Sequence, residues 1–198
     1  MKKKVSFIIS TIIIIALGST FLMSKANDGA KTIEEAITAP VSIPVNIIHE
    51  EKTSKGSIVF CSTLGGDGLY TAVVKKDISG FKMVHSGGGD ISSPVDKFGI
   101  SYSYFPSIEK TSLPIYFGLI GDPQISEVKI VEKRSLLEEE AKIVNAEGNR
   151  LWLANMNKFK GLDFEIIGLS ADGKELTRIN DNISVYYAEE KLLENRYK

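Results

Sequence analysis

The period of the apolar positions changes along this chain. Residues 5–23 form one uninterrupted uncharged run, with Ile12, Ile13, Ile14 and Ile15 inside it. A short polar stretch, residues 27–31, follows. Thr32-Ile33-Glu34-Glu35 then has the spacing of a capping box, in which the threonine hydroxyl and the glutamate carboxylate satisfy each other's backbone amides. This predicts a helix from Ile33 to Ala39, ended by Pro40, because the residue before a proline avoids the helical region. Pro44 keeps residues 41–44 extended.

From Asn46 onward the apolar residues come in short runs punctuated by turn formers, the signature of strands. Residues 46–53 and 57–64 flank Ser54-Lys55-Gly56, where glycine suits a left-handed turn position. Residues 69–76 and 81–86 flank Asp77-Ile78-Ser79-Gly80. Residues 98–105 alternate, so Ile100, Tyr102 and Tyr104 share one face. Residues 114–120 and 125–132 flank Gly121-Asp122-Pro123-Gln124, and residues 141–145 and 150–155 flank Ala146-Glu147-Gly148-Asn149. Residues 162–169 and 175–179 flank Asp172-Gly173, the strongest hairpin signal in the chain. Residues 135–142 suit a short acidic helix or a solvated loop. Residues 184–198 suit a terminal helix, although Ile183, Val185 and Tyr187 would also suit a strand. The expected fold is mainly β: an antiparallel meander forming a sandwich, barrel or curved open sheet, with a short N-terminal helix and room for a C-terminal one. Long helices between strands are missing, which disfavours a doubly wound α/β sheet.

Charge changes the picture of the first residues. Lys2, Lys3 and Lys4 precede the apolar run. Two readings of residues 1–26 stand side by side. One is a cleaved signal peptide, for which Ser24-Lys25-Ala26 supplies the small-x-small cut. The other is a single uncleaved anchor, since a span needs roughly 17–25 predominantly apolar residues. Both place residues 32–198 outside the cytoplasm, because lysines stay on the inner side. No cysteine stands directly after the run, which excludes lipid attachment of the bacterial lipoprotein kind.

The 198 residues carry 24 basic and 25 acidic side chains, a formal net charge of −1. The first 26 residues hold four of the basic groups and none of the acidic ones, so the remainder carries −5. An acidic domain is a poor nucleic-acid partner. A hydrophobic content of 43% argues against disorder. One cysteine, Cys61, rules out an internal disulfide and any multi-cysteine zinc site.

Candidate chemistry is sparse. Cys61 would need a base, and His49 or His85 could supply one from a neighbouring strand. Its setting after Ile58, Val59 and Phe60 instead predicts a small buried hydrophobe facing the same way as Val59. His49 and Glu51 could share an ion, whereas His49 and Glu50 point to opposite faces. No His-x-His or His-x-x-x-His spacing is present. Gly65-Gly66-Asp67-Gly68 and Gly87-Gly88-Gly89-Asp90 lack the Gly-Lys-Ser/Thr close of a phosphate cradle, and each offers one Asp where a calcium loop wants several. Both are expected to be sharp turns that could also rim a ligand. Tyr102, Tyr104, Phe105, Tyr116, Phe117 and Trp152 could form a glycan-stacking surface, but strand spacing favours core for Tyr102, Tyr104, Phe117 and Trp152. Asn182-Ile183-Ser184 matches a glycosylation sequon, a pattern common by chance.

The segment from Ile115 to Val128, with Ala141-Lys142-Ile143-Val144, Leu151-Trp152-Leu153 and Ala171-Asp172-Gly173-Lys174, resembles a group of small uncharacterised envelope proteins of bacilli and their relatives. The resemblance implies one amino-terminal hydrophobic segment, a short capped helix and a compact β-rich outer domain. It implies no functional residue. The expected role is a non-catalytic interaction or accessory protein at the outer face of a membrane, with an unidentified protein or small ligand as partner. No catalytic residue, cofactor or metal ligand is assigned. The alternatives are an extracytoplasmic hydrolase with carboxylate chemistry, Asp67 and Asp90 being its first suspects, and a small-ligand or glycan binder using exposed tyrosines.

Overall fold

The computed structural model describes residues 29–41, 44–54, 56–63, 68–90, 92–108, 113–146 and 148–183. The leader, residues 1–26, and the proposed terminal helix, residues 184–198, lie outside them. Among the described residues no helix is long and apolar enough to cross a membrane.

Helix α1 (Ile33–Val41) opens the described chain. The Thr32 Oγ1 accepts from the Glu35 amide at 3.1 Å, as the capping box predicts, but the Glu35 carboxylate reaches one residue further back, to the Lys31 amide at 2.8 Å. The helix also runs one residue past Pro40 rather than ending before it. Pro40 cannot donate to the Ala36 carbonyl, but only Val41 follows it in the helix, so no more than this last turn is weakened, and packing of Ala36 and Ile37 holds the segment in place.

Strands β1 (Val45–Lys52), β2 (Gly56–Thr63), β3 (Gly68–Asp77) and β4 (Gly80–Asp90) form the first sheet in meander order. Gly56 does not take the left-handed conformation expected of it. It is small for another reason: a Cβ there would lie 2.1 Å from the Val74 carbonyl oxygen. Helix α2 (Ser92–Phe98) follows β4. The second sheet has the order β5 (Ser103–Phe105), β6 (Ile115–Leu119), β10 (Asn149–Asn155), β9 (Lys142–Ala146). The third has the order β12 (Glu175–Asn182), β11 (Asp163–Leu169), β7 (Glu127–Glu132), β8 (Glu138–Glu140). Every pairing within the three sheets is antiparallel. The three sheets are open, so of the expected architectures the closed barrel is the one not formed.

Three apolar clusters show how the layers stack. Ala36 and Ile37 of α1 cover Val59, Cys61, Ala72 and Val74 on one face of the first sheet. The other face, carrying Ile58, Phe60 and Val73, packs on Phe117, Leu151 and Leu153 of the second sheet. The far face of that second sheet, with Tyr116, Trp152 and Ala154, packs on Val128, Ile130, Phe164 and Ile166 of the third. Phe60 meets Phe117 edge-on at 5.1 Å across the first interface, and Tyr116 meets Phe164 at 5.7 Å across the second. The middle sheet is therefore covered on both sides, and β6 and the centre of β10 read as continuous apolar runs rather than alternating ones.

Several local expectations need correcting. Gly87-Gly88-Gly89-Asp90 is not a turn but the end of β4, paired with Gly68–Thr71 of β3. Phe98 ends α2, and the strand expected from it begins only at Ser103, with an isolated bridge between Ile100 and Ile120 before it. Residues 135–142 contain the edge strand β8 rather than a helix or a loop. Strands β6 and β7 do not pair with each other: Gly121-Asp122-Pro123-Gln124 carries the chain from the second sheet to the third. The Asp172-Gly173 hairpin forms as predicted, with Gly173 at φ +81° and its amide donating to the Ser170 carbonyl.

Candidate functional site

Cys61 lies on β2 under α1, with no exposed surface. Its Sγ donates to the Tyr70 carbonyl at 3.5 Å. Burial pushes the thiol up to about 12, so it is fully protonated near neutral pH. Neither histidine can act on it. A β-bulge between Ile47 and His49 leaves Ile47 opposite Cys61 but puts His49 opposite Phe60. His49 thus belongs to the opposite face of the sheet from Cys61, stacked on the Phe60 ring at 6.3 Å. His85 is also on that opposite face, edge-on to Phe105 at 5.4 Å.

The predicted His49–Glu51 pair does come together. His49 Nε2 lies 3.0 Å from Glu51 Oε2, and Lys142 Nζ of β9 donates to the same oxygen at 3.0 Å. Burial raises the Glu51 carboxyl, but the hydrogen bonds from His49 and Lys142 outweigh it and hold the group below its ordinary range. An ammonium already takes the cation's place, and the trio ties the first sheet to the second. Among the described residues no three His, Cys, Asp or Glu side chains gather to hold a metal ion.

Of the hydrolase suspects, Asp67 lies outside the described residues and Asp90 ends β4 opposite Gly68. The aromatic candidates divide between the two faces of the middle sheet. Phe105 and Phe117 face the first sheet, and Tyr116 and Trp152 face the third. Trp152 Nε1 donates to the Ser101 carbonyl at 3.0 Å. Tyr102 and Tyr104 are half-buried against the same core. The buried Tyr116 hydroxyl donates to Asp181 Oδ2 at 2.6 Å, and burial followed by that bond pushes it well above the ordinary phenol range. No local pattern points to Asp181, which sits on β12, 65 residues away.

Two surface features remain. An open cleft of about 500 Å³ lies between α2 and β12, lined in part by Asp96, Lys97, Gly99, Asp122 and Thr177. Its floor is fixed by the Gly121 and Asp122 amides, both donating to the Gly99 carbonyl, and by Arg150 donating to the Asp122 carbonyl at 3.3 Å. The second feature is the outer edge of β4. Among the described residues only Ala30 pairs with that edge, opposite Phe81. Ser86, Gly87, Gly88 and Gly89 follow on it with little or no side chain to cover the backbone. Charged residues, prolines and bulges normally blunt such an edge, and the one bulge here lies before it, between His85 and Met83. No protein family, no curated protein and no solved structure matches this chain.

Proposed function

We propose that this chain is a non-catalytic accessory or interaction protein on the outer face of a membrane, and that it takes a partner's extended segment along the open edge of β4. The location follows from Lys2, Lys3 and Lys4 before the uncharged run of residues 5–23, and from the resemblance to envelope proteins. The glycine-rich edge carries the binding part. Its backbone amides and carbonyls form a template for strand addition, and Ser86, Gly87, Gly88 and Gly89 bring no bulky side chain of their own to it. The thiol, His49 and Tyr116, which an enzyme could have used, are instead engaged in holding layers together.

The test places a photo-crosslinking residue at Ser86 of the full chain, in the organism that makes it, with Lys174 as the comparison site. A discrete adduct is expected from position 86, absent from 174 and lost when Gly88→Lys puts a charge on the edge. Identical adducts from both sites would overturn the reading. The cleft between α2 and β12 favours a second reading, a site for a small polar ligand, because Asp96, Lys97, Asp122 and Thr177 all line it. Calorimetric titration with candidate solutes, repeated on Asp122→Asn, would reveal it as heat that the substitution removes.

A further inference from the structure

The β3–β4 turn carries the most exposed large apolar side chain among the described residues, Ile78 at 79%. The turn is rigidly built. Asp77 Oδ1 accepts from the Ser79 amide at 2.8 Å and from its hydroxyl at 2.5 Å, and Gly80 takes φ +125°. The chain arriving from the amino terminus is clipped to this same turn. The Ala30 amide donates to the Phe81 carbonyl at 2.9 Å, and the Phe81 amide returns a bond to Ala30 at 2.8 Å. Gly29 runs so close that a Cβ there would lie 2.4 Å from the Ser79 carbonyl oxygen.

The uncharged run ends at Met23, and only residues 24–28 separate it from Gly29. Fully extended, that connection reaches at most about 20 Å. If residues 5–23 stay in the bilayer, the Ile78 turn is the part of the domain held nearest to it. Lys31, Lys76 and Lys82 are exposed around the turn, and Lys76 Nζ lies 5.2 Å from the centre of the Phe81 ring. Lysines with apolar stems and charged heads suit a headgroup layer.

We infer that the β3–β4 turn is the membrane-facing end of this domain, with Ile78 inserted into the lipid interface beside the point where the chain leaves the bilayer. The inference rests on the tethered reading of the amino terminus. One isoleucine does not bind a membrane by itself. The tether supplies the effective concentration, and Ile78 fixes which end faces down. Because β4 rises from this turn, its glycine edge stands roughly 20–30 Å above the lipid, at about 3.3 Å per residue. The edge is thereby held clear of the headgroups, where a partner can reach it.

The test uses the full chain in vesicles of phosphatidylcholine and phosphatidylglycerol. An environment-sensitive dye is attached to Ile78→Cys or, for comparison, to Ser86→Cys higher on β4, and the unsubstituted chain measures background labelling of Cys61. Flotation reports tethering, and quenching by nitroxide lipids reports contact. The expected result is flotation of every chain, with quenching at position 78 at least about twofold stronger than at 86 and a blue-shifted emission at 78 only. Flotation with equal quenching at the two sites would overturn this inference and leave the tethered reading standing. Failure to float would overturn both.

Discussion

Thr71 and Cys61 lie on adjacent strands, on opposite faces of the first sheet, and both pose questions of burial. Thr71 is fully buried, yet its Oγ1 has no hydrogen-bond partner among the described residues. A hydroxyl taken out of water without compensation costs free energy. Thr71→Val keeps the shape and removes the unpartnered group, so it should raise stability by about 1 kcal/mol, seen as a higher urea midpoint at unchanged slope. For Cys61 the prediction concerns pH. The thiol's ordinary value is 9.0, and burial holds it near 12 in the folded chain. Below pH 9 both states are protonated and the full stability is present. As pH rises from 9 toward 12 the unfolded thiol ionises while the folded one cannot, so stability falls by about 1.4 kcal/mol per pH unit. The raised tyrosines, Tyr102 and Tyr116, join in from about pH 10, their ordinary value. Between pH 9 and 10 the loss should therefore be much smaller in Cys61→Ala than in the parent, as read from urea midpoints. An equal loss in the two proteins would remove the thiol as its cause.

At the scale of elements, the middle sheet has the least room for change. A Cβ on Gly118 would lie 1.9 Å from the Ser101 carbonyl oxygen and 2.8 Å from Trp152 Nε1, two atoms that already hydrogen-bond each other. Gly118→Ala must push the Ser101 backbone or Trp152 aside, at a cost of about 3 kcal/mol or more, measurable as lost folded yield or a lowered Tm. Across the next interface, Tyr116→Phe removes the donor to the half-buried Asp181 and should cost about 2 kcal/mol, with Asp181→Asn partly restoring a neutral seam. The contrast between elements also explains what could be read from the chain beforehand. The hairpin at Asp172-Gly173, the capped helix and the buried thiol all follow from contacts within a few residues, so local pattern reveals them. Strand β8 reads as three glutamates, and its place at the sheet edge follows from Val131, Ile130 and Lys129 pairing with it. Gly87–Asp90 has little strand propensity of its own and is extended because β3 holds it there. Helix α2 did leave a signal, serines followed by Pro94 at its start, but alternation from Phe98 to Phe105 masked it. The site features are harder still, since Asp181 meets Tyr116, and Lys142 meets Glu51, only when different sheets stack.

The whole molecule is organised around a sheet that shares its two faces with different partners. Leu151 and Leu153 of β10 point into one core, and Trp152 and Ala154 between them point into the other. A single strand thus couples both interfaces, and loosening one side removes the support of the other. The first sheet has a further small core under α1, but its larger apolar face rests on the middle sheet. Such an arrangement should unfold as one unit rather than sheet by sheet. Trp152 is the only tryptophan in the chain and is fully buried on the third-sheet side. Its fluorescence reports the interface between the second and third sheets, whereas far-ultraviolet circular dichroism reports all three. The two signals should give the same urea midpoint. Leu153→Ala opens a cavity on the first-sheet side only, next to but facing away from Trp152. It should nevertheless move the tryptophan transition by about 2–4 kcal/mol, together with the dichroism. A tryptophan midpoint left in place while the dichroism splits into two steps would mean that the first sheet folds independently. The middle sheet would then be a platform on which it docks rather than a shared core.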